Sequence, residues 1–208
     1  MTETQTGGLD MTMMLAFHAG FRRDADRLAK AGENLAHNRA SVVAGWESFR
    51  DQLERHHLAE DEDLWPVARA HLAGKPDELA QLDSMESEHA AIDPLIESVN
   101  TVLAHPHTGR EQTAHAIASL RDAVLAHLAH EERDVLPLLD RVVTPKEWRT
   151  FSDLQRRKSS VGDAARLFPW LADGNTPEGL EVLRRLPAPM RLANRYIWTR
   201  QYNKTARW

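Results

Sequence analysis

His56-His57-Leu58-Ala59-Glu60 followed by Pro66, and His127-Leu128-Ala129-His130-Glu131 followed by Pro137, are two versions of one pattern. In each, a histidine stands four residues before a glutamate and ten before a proline. Residues four apart on a helix lie one turn from each other on the same face. An imidazole nitrogen and a carboxylate oxygen aimed at one point make a ligand pair for a divalent transition metal. One such pair is a weak signal. Two in one chain, with single helix-face histidines before and between them, point to a dinuclear metal site inside a helical bundle.

The surrounding sequence supplies the bundle. From Leu9 to Gly32, Met14, His18, Phe21, Ala25 and Leu28 recur at steps of four and three, which predicts an amphipathic helix with His18 on its apolar stripe. A second helix is expected from Ala40 to Leu72, its stripe being Val43, Trp46, Phe49, Leu53, His56, Glu60, Leu64 and Val67. Pro66 should kink it rather than end it, because the pattern continues beyond. Gly74-Lys75-Pro76 is a stop, and a third helix from Asp77 to Leu103 carries Leu82, Met85, His89, Ile92, Ile96 and Val99. Thr108-x-x-Glu111 reads as a capping box for a fourth helix, striped by Ile117, Leu120, Val124, His127, Glu131, Val135 and Leu138.

Short connections make these helices antiparallel neighbours. The expected fold is therefore all-α, an up-down-up-down four-helix bundle over residues 9–143. Residues 1–8 are polar and expected to be disordered. Thr144-Pro145-Lys146-Glu147 and Thr176-Pro177-Glu178 read as further helix starts, so residues 144–208 form a C-terminal helical extension with a basic aromatic tail.

Composition narrows the chemistry. There is no cysteine among the 208 residues, which excludes disulfides, thiolate catalysis and zinc-thiolate sites. A net charge of −5 argues against a surface that is wholly a nucleic-acid platform. No apolar run approaches the length of a transmembrane helix and no signal sequence opens the chain, so a cytoplasmic location is expected.

Glu60 and Glu131 are the telling residues. A lone carboxylate on the apolar face of a bundle helix costs several kcal/mol unless it is protonated, paired or bound to metal. With His18, His56, His89 and His127 the inventory is four imidazoles, one per helix, and two carboxylates. If both carboxylates bridge two ions, each ion receives two histidines and two oxygens, with positions left for water or a small ligand. Such a set favours iron ahead of manganese or zinc. A ferritin-like site would need Glu-x-x-His on the second and fourth helices and a glutamate on each of the others. Glu54-x-x-His57 and Glu86-x-x-His89 instead lie on consecutive helices, and the first helix has no glutamate between Leu9 and Gly32.

These residues resemble the hemerythrin-like (HHE cation-binding) domains over roughly Leu9 to Val143, in six ligand positions and both prolines. The resemblance implies a di-iron centre, oxo- or hydroxo-bridged. In it His18 and His56 serve one iron, His89 and His127 the other, and Glu60 and Glu131 bridge them. The stretch holding Pro145-x-x-Trp148 and Phe168-Pro169-Trp170-Leu171, with the basic aromatic tail, is similar to extensions of actinobacterial members. Oxygen-carrying members have a fifth histidine one turn before the third-helix ligand. Here that position is Met85, and one turn after His89 stands Asp93. His57 is the first substitute and Glu86 the second, while His57 also reads as a solvated neighbour of a true ligand. His57-x-x-x-Asp61 is a competing register, but the common ten-residue spacing to proline favours His56 and Glu60.

The function expected from the resemblance is a non-haem di-iron protein that binds or reacts with oxygen, nitric oxide or hydrogen peroxide. Without a fifth histidine the irons are less saturated, which favours peroxide decomposition, nitric oxide reduction or sensing over oxygen storage. The alternative is a metal-dependent sensor or binding module acting through its C-terminal segment. Residues 184–208 hold seven Lys/Arg and no Asp or Glu, interleaved with aromatics, so they can meet an anionic surface. The competing reading has Ile197, Trp198 and Trp208 pack back onto the bundle.

Overall fold

The computed structural model describes residues 8–208, so the expected disordered terminus, residues 1–8, lies outside the described residues except for Gly8. Four long helices form the bundle, and no strand occurs among the described residues. They are α1 (Thr12–Gly32), α2 (Leu35–Ala59, Glu60–Leu64 and Trp65–His71), α3 (Pro76–Ala104) and α4 (Arg110–His130, Glu131–Val135 and Leu136–Val142).

Helix starts depart from expectation for local reasons. α1 begins at Thr12 rather than Leu9 because the Asp10 carboxylate accepts from the Thr12 backbone (3.2 Å), while the Leu9 N–H turns away to Asp140 (2.6 Å). α2 begins at Leu35 rather than Ala40, with Leu35 buried in the core. The Thr108 capping box does not form. Gly109 takes the cap position of α4, so Glu111 falls at the second helical residue, one short of the reciprocal reach.

The middle segments of α2 and α4 are π-helical turns, each starting at the motif glutamate. Proline cannot donate, and its ring clashes with the carbonyl four residues back. The helix widens just upstream instead: the Trp65 N–H reaches Glu60 O and the Leu136 N–H reaches Glu131 O, five residues back. The extra residue rotates the stripe beyond it. Val67, expected to be in the core, is half-buried, whereas Trp65, Ala68 and Leu72 are buried.

Antiparallel pairing shows in the contacts. The Trp46 indole near the start of α2 donates to Asn100 near the end of α3 (2.8 Å), and Gly32 at the end of α1 faces Ile117 near the start of α4. The interior has two apolar clusters. One contains Phe21, Phe49, Leu53, Ile92 and Val124, the other Met14, Leu64, Met85 and Val135. Along every helix the motif residues fall between them: His18 between Met14 and Phe21, and His89 between Met85 and Ile92. A polar layer is thus sandwiched between hydrophobic ones.

The extension adds α5 (Pro145–Lys158), α6 (Val161–Ala172), α7 (Pro177–Arg185) and α8, which runs over 188–202 with a π turn at Asn194–Trp198. Thr144 and Glu147 form the expected capping box, and the Thr176 hydroxyl accepts from Gly179 N–H. α6 and α7 lie against α1. The Trp170 ring sits where a side chain at Gly20 would be, since a Cβ there would come within 2.5 Å of it. Trp208 covers Gly45 in the same way, and its N–H donates to Ser41 O (3.0 Å). Trp198 packs on the core, but Ile197, expected to pack with it, is exposed, because α8 buries the row Asn194, Trp198 and Tyr202 instead. No described helix is long and apolar enough to cross a membrane.

Candidate metal centre

His18, His56, Glu60, His89, His127 and Glu131 are all buried in the polar layer. His57 joins them. Glu86 does not: it is exposed and paired with Arg69 (3.0 Å). The layer divides into two groups, each with donor atoms within 4.8 Å of one another: His18, His56, Glu60 and Glu131, and His57, His89 and His127. Glu60 reaches toward both, with its oxygens 3.3 Å from His56 Nε2 and 3.6 Å from His89 Nε2.

Carboxylates behind the imidazoles orient them. Glu132 accepts from His18 Nδ1 (2.8 Å), Asp61 from His89 Nδ1 (2.9 Å) and Glu88 from His127 Nδ1 (2.9 Å). An ionised carboxylate only accepts, so the proton sits on Nδ1 and Nε2 faces the layer. Such outer partners fix the ring of a metal-bound histidine and raise its basicity. Glu132 is itself clamped by the two terminal guanidinium nitrogens of Arg22 (2.7 and 3.0 Å). Burial works against its charge, but His18 and Arg22 hold it down at about 2.

Sequence reasoning does not assign these three acids this role, and weighs Asp61 only as a ligand in the competing register. Each stands one residue from a layer position, Asp61 after Glu60, Glu88 before His89 and Glu132 after Glu131, but serves a ring on another helix. Of the carboxylates in the two registers, Glu60 lies inside the layer and Asp61 behind His89. His130, next to Glu131, shares Glu88 with His127 (2.6 Å) and is partly exposed, while His71 pairs with Glu147 at the surface.

Charge in the layer is strained. Burial opposes a proton on His18, but the Glu131 and Glu132 carboxylates outweigh it and lift the group to about 9. Burial and then neighbouring histidines drive His56 and His57 well below the ordinary imidazole value. Burial and the Glu131 charge push Glu60 well above the usual carboxylate range. The Nε2 atoms of His18, His56 and His57 and all the carboxylate oxygens of Glu60 and Glu131 are buried without a hydrogen-bond partner. His18 Nε2 lies 3.1 Å from Glu131, close enough for attraction but not aligned as a hydrogen bond. Buried polar atoms left so are costly, and a cation supplies what they lack. The donor set, nitrogen and oxygen without sulfur, fits a first-row transition metal.

Residues 10–139 match the hemerythrin HHE cation-binding domain. The chain belongs to this family. The match contains every residue of the buried layer and both π turns with their prolines, and it ends before the C-terminal extension. No curated protein and no solved structure matches the chain significantly. In this hemerythrin domain the extension reaches the layer through α1. Trp170 packs on Phe17 and Phe21 (5.9 and 5.4 Å between ring centroids), and both pack on the His56 ring (5.5 and 5.2 Å).

Proposed function

We propose that the layer holds two iron ions. His18 and His56 serve one, His57, His89 and His127 the other, and Glu60 and Glu131 are shared. The centre binds or reacts with a small ligand, oxygen, nitric oxide or hydrogen peroxide, in detoxification or sensing rather than oxygen storage. The observation that carries this reading is the convergence of unpartnered imidazole nitrogens and carboxylate oxygens in one buried layer. Iron held there supplies Lewis acidity and one-electron chemistry toward such ligands.

The protein's own part is positioning and exclusion. Glu132, Asp61 and Glu88 hold protons at Nδ1 of His18, His89 and His127, keeping Nε2 inward. Phe17 and Phe21 cover His56 and keep water from that side. Glu88 joins buried His127 to the partly exposed His130, leaving a polar connection toward solvent. The presence of Met85 where oxygen carriers have a histidine supports reactivity over reversible carriage.

Iron-supplemented aerobic expression should yield about two irons per chain, with near-ultraviolet absorption that changes on adding nitric oxide or peroxide. Iron near zero would overturn the assignment, and a spectrum indifferent to both ligands would overturn the reactivity. A second reading, transmission of metal state to the extension, is favoured by the Trp170–Phe17/Phe21–His56 contact. It expects cleavage sites in 144–208 to change accessibility to protease when iron binds.

A further inference from the structure

The seven cations after Leu183 are not equivalent. Arg184 and Arg185 are held by Glu181, and Arg185 also by Asp10 (2.7 Å). Arg207 lies over the Tyr202 ring (3.7 Å) and donates to the Ser48 hydroxyl. Arg191, Arg195, Arg200 and Lys204 are exposed, and among the described residues no carboxylate lies within ion-pair distance of them. Arg191 donates only to a neutral carbonyl, Arg184 O (3.1 Å).

The same helix exposes large apolar side chains. Leu192 is 57% exposed, Tyr196 55% and Ile197 60%. The opposite side of α8 is fastened down, since Met190, Trp198 and Tyr202 pack against the core. An outer face with aliphatic and aromatic groups among unpaired cations is the composition of a helix that lies in a membrane interface.

We propose that the outer face of α8 docks onto an anionic lipid bilayer. Leu192 and Ile197 enter the boundary between headgroups and chains, and Tyr196 sits at headgroup level. Arg191, Arg195, Arg200 and Lys204 meet lipid phosphates. The face is already folded against the bundle, so docking carries little ordering cost. The whole chain is net negative at −5, which turns the rest of the molecule away from an anionic surface and α8 toward it. Leu192 and Ile197 decide against nucleic acid, whose phosphates offer aliphatic groups nothing to enter. A second copy is disfavoured because symmetric pairing would bring Arg191, Arg195 and Arg200 against their own like.

The test is flotation of the full-length chain with vesicles of phosphatidylcholine alone and with about a third phosphatidylglycerol. Binding is expected to the mixed vesicles only, and to fall as salt is raised. Leu192→Ser/Ile197→Ser should weaken it by roughly tenfold or more, and Arg195→Gln or Arg200→Gln by about fivefold each. The substituted positions are exposed, so the variants should keep the wild-type melting temperature and iron content, and a variant that loses either is replaced by Tyr196→Ser. No binding to anionic vesicles, or binding equal in wild type and variants, overturns the proposal. Binding to duplex DNA in preference to vesicles overturns it too, as does self-association lost in Leu192→Ser/Ile197→Ser without vesicle binding. None of these readouts depends on what the iron centre does.

Discussion

The rings of His57 and His89 lie face to face, their centroids 3.9 Å apart and their planes 9° from parallel. His127 meets the His57 ring nearly edge-on (5.2 Å, 80°). Burial first, and the neighbouring imidazoles second, deny His57 a proton, so it stands as a neutral ring with its Nε2 unpartnered. Neutral imidazole is the form that binds metal. His57→Ala is therefore expected to lower bound iron from about two per chain to about one. Elemental analysis after identical loading measures this, and an unchanged stoichiometry would reduce His57 to packing.

The two layer glutamates should respond differently to the same substitution. Burial and the Glu131 charge both push Glu60 toward its protonated form in the metal-free chain. Glu60→Gln then exchanges one neutral group for another, and metal-free stability should change by no more than about 1 kcal/mol. Burial opposes the charge on Glu131, but His18 overrides it and keeps the carboxylate ionised. Glu131→Gln breaks that buried pair at a cost of about 3 kcal/mol. Both variants should lose iron. Thermal unfolding with and without iron separates the cases, and equal metal-free melting temperatures would contradict the assignment of the proton to Glu60.

The bundle and its polar layer were legible in the sequence because helical periodicity is local: His18, His56, His89 and His127 each fall on a run of apolar residues three and four apart. The π turns were not, since a proline announces a disturbed helix without saying how the chain resolves it. Val67 was consequently assigned to a face that Ala68 and Leu72 occupy. Glu86 stood as the second candidate for a fifth ligand after His57, and with α2 and α3 side by side only His57 turns inward. Asp61, Glu88 and Glu132 buttress rings on other helices, a relation that no single-helix pattern contains.

Metal uptake should release protons. At neutral pH the metal-free chain carries one on His18, lifted to about 9 against burial by Glu131 and Glu132, while burial and the Glu131 charge push Glu60 toward its protonated form. The His18 proton must leave for metal to bind, with whatever Glu60 carries, so roughly one to two protons are expected per chain, and affinity should rise with pH. The sign for stability is opposite. A histidine raised from 6.5 to about 9 stabilises the metal-free fold fully below pH 6.5, and that contribution fades as pH climbs to about 9. Calorimetry in buffers of different ionisation enthalpy counts the protons. Above the ordinary imidazole range, where His56 and His57 are neutral in both folded and unfolded chain, melting temperatures from about pH 7.5 to 9 should fall for the metal-free chain and stay flat for the loaded one. A metal-free melting temperature that rises over that range would refute the His18 assignment.

Trp170 should govern how fast metal escapes, although it lies in the extension. It is almost fully buried, its indole N–H donates to Asp24 (2.7 Å), and the Arg23 guanidinium lies over its ring at 5.1 Å. Through Phe17 and Phe21 it backs His56. Trp170→Ala removes that backing and opens a cavity, at a cost of about 3–5 kcal/mol. Iron loss to an excess of chelator should then accelerate. Trp170→Phe keeps most of the volume but removes one of the two donors to Asp24 Oδ2, leaving the Arg23 guanidinium (2.9 Å), at a cost of about 0.5–1.5 kcal/mol. Because the aromatic stack over His56 survives, its iron release should stay near the wild-type rate even though its melting temperature drops. The two variants thus separate global stability from local shielding, and release rates that simply follow melting temperature across the three proteins would show that Trp170 acts only through the stability of the fold.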